Sequence, residues 1–103
     1  MSFVSPSLSG WTIYSKSNCK FCSLVKELLV NENEKNLIID CDSYLEEDKR
    51  VAFLDFIRNL AKKEHKTFPM VFLNGEFIGG YTDTKKHIEY HNVFSCIDED
   101  GVF

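Results

Sequence analysis

Cys19 and Cys22 stand as a C-x-x-C pair in SKSNCKFCSLVKELL, where a polar run gives way to an apolar pattern. Such a pair is open to three uses: half of a zinc site, a structural disulfide or a redox couple. Structural zinc takes four ligands, usually from two close pairs. Cys41 and Cys96 stand alone, and His65, His87 and His91 add no second pair, so no metal site is expected. A structural disulfide belongs to an oxidising compartment. MSFVSPSLSG has neither the basic start nor the apolar run of a secretory signal, so the cytoplasm is the expected location and a redox couple the favoured use.

Position sharpens that reading. Cys19 falls where the loop turns into a helix, and unpaired N–H groups with the positive end of the macrodipole favour an anion there. Lys16 and Lys20 flank it and push the same way, so its thiolate, the form that attacks disulfides, is favoured. Cys22 lies one turn further in, nearer the core. The pair reads as an exposed attacking sulfur and a sheltered resolving one. Cys41 and Cys96 read as bystanders that pack as small hydrophobes, Cys41 after a buried strand.

The elements that must hold this pair follow from periodicity. WTIY, residues 11–14, has strand character. Phe21, Leu24, Val25, Leu28 and Leu29 share one helix face, with Asn18 or Cys19 as cap. LIID, residues 37–40, completes a βαβ unit and argues for a parallel pair of strands. Phe53, Phe56, Ile57, Leu60 and Ala61 mark a second helix, with Glu46, Glu47 and Asp48 expected in its first turn. In MVFLNGEFI, Asn74-Gly75 supplies the positive φ angles of a type I′ hairpin turn. Gly79-Gly80 ends that hairpin, and YTDTKKHIEY starts a third helix capped by Thr82 or Asp83. The order is β-α-β-α-β-β-α: one α/β domain over residues 11–103, with residues 1–10 as a loose N-terminal tail.

Composition excludes other classes. The 103 residues suit one small domain, and 44% hydrophobic content with nine Phe supports a packed core. A net charge of −4, with lysines interspersed among acids, gives no field to attract nucleic acid or an anionic membrane. No apolar run reaches membrane-span length.

Two further stretches carry chemistry. Pro69 in KTFPMVF opens a strand where its missing N–H costs least, which any trans proline would do. In GGYTD the free N–H groups of Tyr81, Thr82 and Asp83 suit a carboxylate, although a hairpin exit with a helix cap accounts for the same residues.

Taken in order, YSKSNCKFC and TFPMVFLNGEFIGGYTD resemble the glutaredoxin family, whose members show C-P-Y-C, a T-V-P turn and a G-G-x-x-D segment. The resemblance spans roughly residues 11 to 91. It implies a thioredoxin-like fold, a four-stranded mixed sheet flanked by about three helices, with Pro69 cis and opposite Cys19. It also implies glutathione as reductant and co-substrate. Lys16 would face its glycyl carboxylate, assisted by a second-helix residue taken as Arg58. The Phe68 backbone would pair with its peptide, and Thr67 would shape the turn. Gly80, Tyr81, Thr82 and Asp83 would hold the γ-glutamyl end, and Phe21 would wall the pocket where relatives have tyrosine. Lys20 replaces the usual proline, KKEHKTFP lacks the T-G that often precedes T-V-P, and Lys85 and Lys86 stand where relatives are usually apolar.

The implied activity is glutathione-dependent reduction of protein disulfides and glutathione mixed disulfides by a monomer whose partners are glutathione and oxidised or glutathionylated proteins. The rival reading is a dimer sharing a [2Fe–2S] cluster through Cys19 and glutathione, since loss of the active-site proline opens room beside the cysteine.

Overall fold

The computed structural model describes residues 3–32 and 34–100, with the side chains of the last helix described as far as Tyr90. In chain order these form β1 (Trp11–Ser15), α1 (Lys20–Val30), β2 (Asn36–Asp40), a 3₁₀ turn (Asp42–Leu45), α2 (Arg50–Ala61), β3 (Met70–Leu73), β4 (Glu76–Gly79) and α3 (Tyr81–Asp100). The four-stranded sheet runs β2-β1-β3-β4. β1 is parallel to β2 and antiparallel to β3, and β3 pairs antiparallel with β4. The chain order β-α-β-α-β-β-α and the mixed four-stranded sheet are those expected.

Alternation along the strands divides the core in two. Trp11 and Ile13 of β1 and Val71 of β3 pack with Val25 and Leu29 of α1 and Ile88 of α3. Tyr14, Ile39, Met70 and Phe72 point the other way, onto Phe53 and Ile57 of α2. Each such side chain, fully buried, contributes roughly 1.5–3 kcal/mol. β1 is buried at all five positions because it is central and covered on both faces. The Asn74-Gly75 turn has φ values of 52° and 86°, as a type I′ hairpin needs. Pairing shifts between Val71↔Gly79 and Phe72↔Phe77, leaving Ile78 as a bulge in β4 just before the glycines.

Several local details differ from the sequence expectation. β2 is an edge strand, not a buried one: Leu37 and Ile38 are exposed and only Ile39 is buried. Its apolar run meets a helix layer that does not reach that far. Glu46, Glu47 and Asp48 precede α2 instead of filling its first turn, which has no acid. The unexpected 3₁₀ turn stands before them. Residues 3–10 do not trail loosely. Phe3 inserts its ring among Tyr44, Phe53 and Phe56, at centroid distances of 4.9, 5.4 and 5.3 Å. Tyr14 donates its hydroxyl to the Val4 carbonyl, and Asn74 Oδ1 accepts from the Gly10 N–H.

Candidate active site

Of the two candidate caps of α1, Cys19 takes the position. Its backbone is extended, and its Sγ accepts the Cys22 N–H at 3.2 Å while its carbonyl accepts from Ser23. Asn18 instead occupies the left-handed region at φ 55° and turns the chain into the helix. Sulfur at a helix cap does what a capping oxygen does, and any negative charge it carries faces the macrodipole favourably. The first turn of α1 holds no acid to offset that field. Cys19 and Cys22 are joined in a disulfide with Cα atoms 5.2 Å apart. Cys22 is buried and Cys19 half-buried, so one sulfur is reachable and the other lies beneath it.

A groove of about 710 Å³ runs beside this pair. Lys16 and Phe21, on either side of the cysteines in sequence, line it. Neither cysteine is itself part of the lining. Thr67, Phe68 and Pro69 contribute a second side, and the Phe68–Pro69 bond is cis. Phe68 stacks its ring on Phe53 with centroids 6.2 Å apart, while no hydrogen bond within the described residues engages its backbone. Gly80, Tyr81, Thr82 and Asp83 supply a third side. Phe21 and Tyr81 meet as a stacked pair, centroids 5.8 Å apart, linking the starts of α1 and α3.

At α3 the structure corrects the cap. The helix begins at Tyr81, so Gly80 precedes it, and the Thr84 N–H and hydroxyl both donate to the Gly80 carbonyl. Asp83, one turn in, reaches back to accept the Gly80 N–H at 3.4 Å, half of a capping box. The N–H groups of Tyr81, Thr82 and Asp83 have no intrahelical acceptor. Gly79, at φ 133°, lets the chain pass so close to Asp83 that a Cβ would collide with that side chain.

Arg58, taken as the second-helix contact, lies outside the groove and pairs with Asp55 at 3.2 Å. Arg50, at the first position of α2, lines the groove instead. Sequence periodicity placed the helix start too early to show this. His65 and Lys66 also line the groove and were not singled out; His65 Nε2 lies 3.4 Å from the Pro69 carbonyl. The lining thus gathers Lys16, Arg50 and Lys66 against the single acid Asp83, although the whole chain is acidic.

The other thiols differ. Cys41 is fully buried, and burial pushes its thiol up to about 12, so it stays protonated at neutral pH. The Cys96 side chain lies outside the described residues. Among those residues no group of three or more potential ligands is assembled for a metal ion.

A C-x-x-C pair opening the first helix of this mixed sheet defines a dithiol protein of thioredoxin-like fold. A glutaredoxin family model matches residues 11–78, and the chain belongs to that family. Among curated relatives, mitochondrial glutaredoxin-2 of Bos taurus is 34% identical over 74 residues, covering 72% of this chain and 44% of the relative. The Homo sapiens protein is also 34% identical over 74 residues, covering 72% of this chain and 42% of its own. This chain therefore spans less than half the length of those relatives. In structure, glutaredoxin 1 from Francisella tularensis superposes with TM-score 0.68 at 23% identity, covering 80% of this chain and 94% of that one. A buckwheat glutaredoxin–glutathione complex does so with TM-score 0.64 at 23% identity, covering 92% and 82%. Wheat glutaredoxin reaches 28% identity and TM-score 0.65, covering 87% and 80%. Cys19 and Cys22 both lie within the matched residues 11–78.

Proposed function

We propose that this protein is a glutathione-dependent disulfide oxidoreductase with Cys19 as nucleophile and Cys22 as resolving thiol. The observation that carries the reading is the convergence of three separate segments, around Lys16 and Phe21, around cis-Pro69, and at the start of α3, on one groove beside the disulfide. Their chemistry suits a tripeptide with charged ends. Lys16 and Arg50 attract the glycyl carboxylate. The unengaged Phe68 backbone pairs with the peptide as an added strand. The free N–H groups of Tyr81, Thr82 and Asp83 take the γ-glutamyl carboxylate, and the Asp83 side chain takes its ammonium. Gly80 lines this end of the groove, where a Cβ would meet the Pro69 carbonyl and the His65 ring only at ordinary contact distances of 3.6 and 3.7 Å.

Reduced Cys19, as thiolate, attacks the glutathione sulfur of a mixed disulfide. The Cys19–glutathione bond forms, the substrate S–S bond breaks, and the substrate leaves as a thiolate that takes a proton from water. A second glutathione thiolate attacks that sulfur, releasing oxidised glutathione and restoring Cys19. For a protein disulfide, Cys19 joins the substrate, Cys22 displaces it to form the Cys19–Cys22 bridge, and two glutathiones reduce the bridge. The buried position of Cys22 suits an attack from within.

The test is reduction of a glutathionylated peptide by the full-length protein, Cys22→Ser and Cys19→Ser. The first two are expected to turn over and the third to be inactive. Activity in Cys19→Ser would overturn the assignment. A brown protein with visible absorbance after anaerobic purification would favour the cluster-bridged dimer, and sedimentation would show whether the active species is the monomer. A cytoplasmic location belongs to the same proposal. The curated relatives are designated mitochondrial, and fractionation of the full-length protein separates the two.

A further inference from the structure

The loop that presents Cys19 is held by the first residue of the 3₁₀ turn that follows β2. Ser17 donates its N–H to Asp42 Oδ1 at 2.9 Å and its hydroxyl to Asp42 Oδ2, so one carboxylate grips one loop residue twice. Asp42 is itself fixed: its N–H donates to Asp40 Oδ1 at 3.0 Å. The buried Cys41 before it donates its N–H to the Ser15 carbonyl at 2.8 Å, extending the β1–β2 pairing. Between Ser17 and Cys19 stands Asn18 at φ 55°, a left-handed turn that asparagine adopts more readily than other non-glycine residues and that the flanking contacts help to hold. Among the described residues, the two Ser17 bonds are the only hydrogen bonds that tie Lys16, Ser17 or Asn18 to the rest of the chain.

The carboxylate is in the right state for this role. The bonds from the Ser17 hydroxyl and N–H, with the Lys16 charge nearby, hold Asp42 below the usual carboxylate range, so both oxygens accept at neutral pH.

We propose that Asp42 is a positioning residue for disulfide exchange: by clamping Ser17 it fixes the Asn18 turn and sets Cys19 Sγ at the start of α1. The inference rests on Cys19 being the attacking sulfur. A bare charge effect would run the opposite way, because a nearby carboxylate disfavours a thiolate and its removal alone would lower the Cys19 pKa. Asparagine separates the two effects. Its Oδ1 accepts the Ser17 N–H and its Nδ2 donates to Ser17 Oγ, keeping the clamp without the charge.

The experiment uses full-length reduced protein carrying Cys22→Ser, with Asp42 intact or as D42N, D42A or, separately, S17A. The Cys19 pKa is read from thiolate absorbance, and turnover from reduction of a glutathionylated peptide. D42A is expected to raise the Cys19 pKa and lower kcat/KM about tenfold, as misplacement of a reacting group does. S17A loses less, because its N–H bond survives, and D42N stays within about twofold of the intact clamp. An unchanged or lowered Cys19 pKa in D42A, or a D42N as impaired as D42A, overturns the proposal. If D42A fails to fold by circular dichroism, S17A decides: a Cys19 pKa indistinguishable from that of intact Ser17 overturns it. Activity in Cys19→Ser would instead sink the nucleophile assignment, while the absorbance titration judges Asp42 without any turnover.

Discussion

The starts of α1 and α3 stand on either side of the Phe21–Tyr81 stack, yet they are built for opposite tasks. At α1 the cap is a sulfur, the first turn has no acid, and lysines at 16 and 20 flank it, so positive potential is left free to favour a thiolate. At α3 the cap is glycine, and Asp83 in the first turn already offsets the macrodipole. One end is biased toward a single negative charge. The other pairs N–H donors with a carboxylate, which matches the zwitterionic end of an amino acid. The difference shows that a helix start becomes reactive or merely adhesive according to its cap and its first acid.

The hardest blow to this contrast is Gly79→Ala. With φ at 133° and a Cβ driven into Asp83, it should cost about 1–3 kcal/mol and disorganise the α3 start, read as a lowered thermal midpoint. Its neighbour Gly80→Ala meets only ordinary contacts, so it should fold normally and lose glutathione affinity in calorimetry. Equal destabilisation by the two would break the argument.

Asp83→Asn sharpens the contrast next. It should weaken glutathione binding roughly tenfold, the worth of a charge-assisted bond, while leaving the Cys19 pKa unmoved. Conversely, Lys20→Glu should raise the Cys19 pKa by roughly half a unit to one unit, with little effect on glutathione affinity. A crossed result in either case would show that the two ends are not separate.

Smaller effects concern pH. Asp42 has its folded pKa depressed by Ser17, so its contribution is present above the ordinary carboxylate range and fades as pH falls through the lowered value. D42N should therefore flatten part of the acid limb of the unfolding curve. Cys41 shifts the other way: raised to about 12, it favours the fold below the ordinary thiol range and loses that advantage as pH climbs toward 12. Iodoacetamide at pH 8 should label reduced Cys19 promptly and Cys41 only on unfolding. Equal labelling would contradict the burial of Cys41.

The elements themselves were legible because each carries a local signature. Helical spacing gave α1 and α2, Asn74-Gly75 gave the hairpin, and the C-x-x-C with its lysines pointed to thiolate chemistry. What misled was also local. Asn18 is the better cap by residue type, yet its left-handed turn gives the position to Cys19. Glu46, Glu47 and Asp48 suit a first helical turn, but the 3₁₀ turn at 42–45 delays α2 to Arg50 and brings that side chain, rather than Arg58, to the groove.

Sequence alone therefore determined the chemistry on offer, because residue types, caps and periodicity act over a few neighbours along the chain. Tertiary structure decided which groups meet. The grip of Asp42 on Ser17, the burial of Cys41 and the insertion of Phe3 join residues far apart in the chain, and such contacts depend on how strands are ordered and layers packed, which no local pattern encodes.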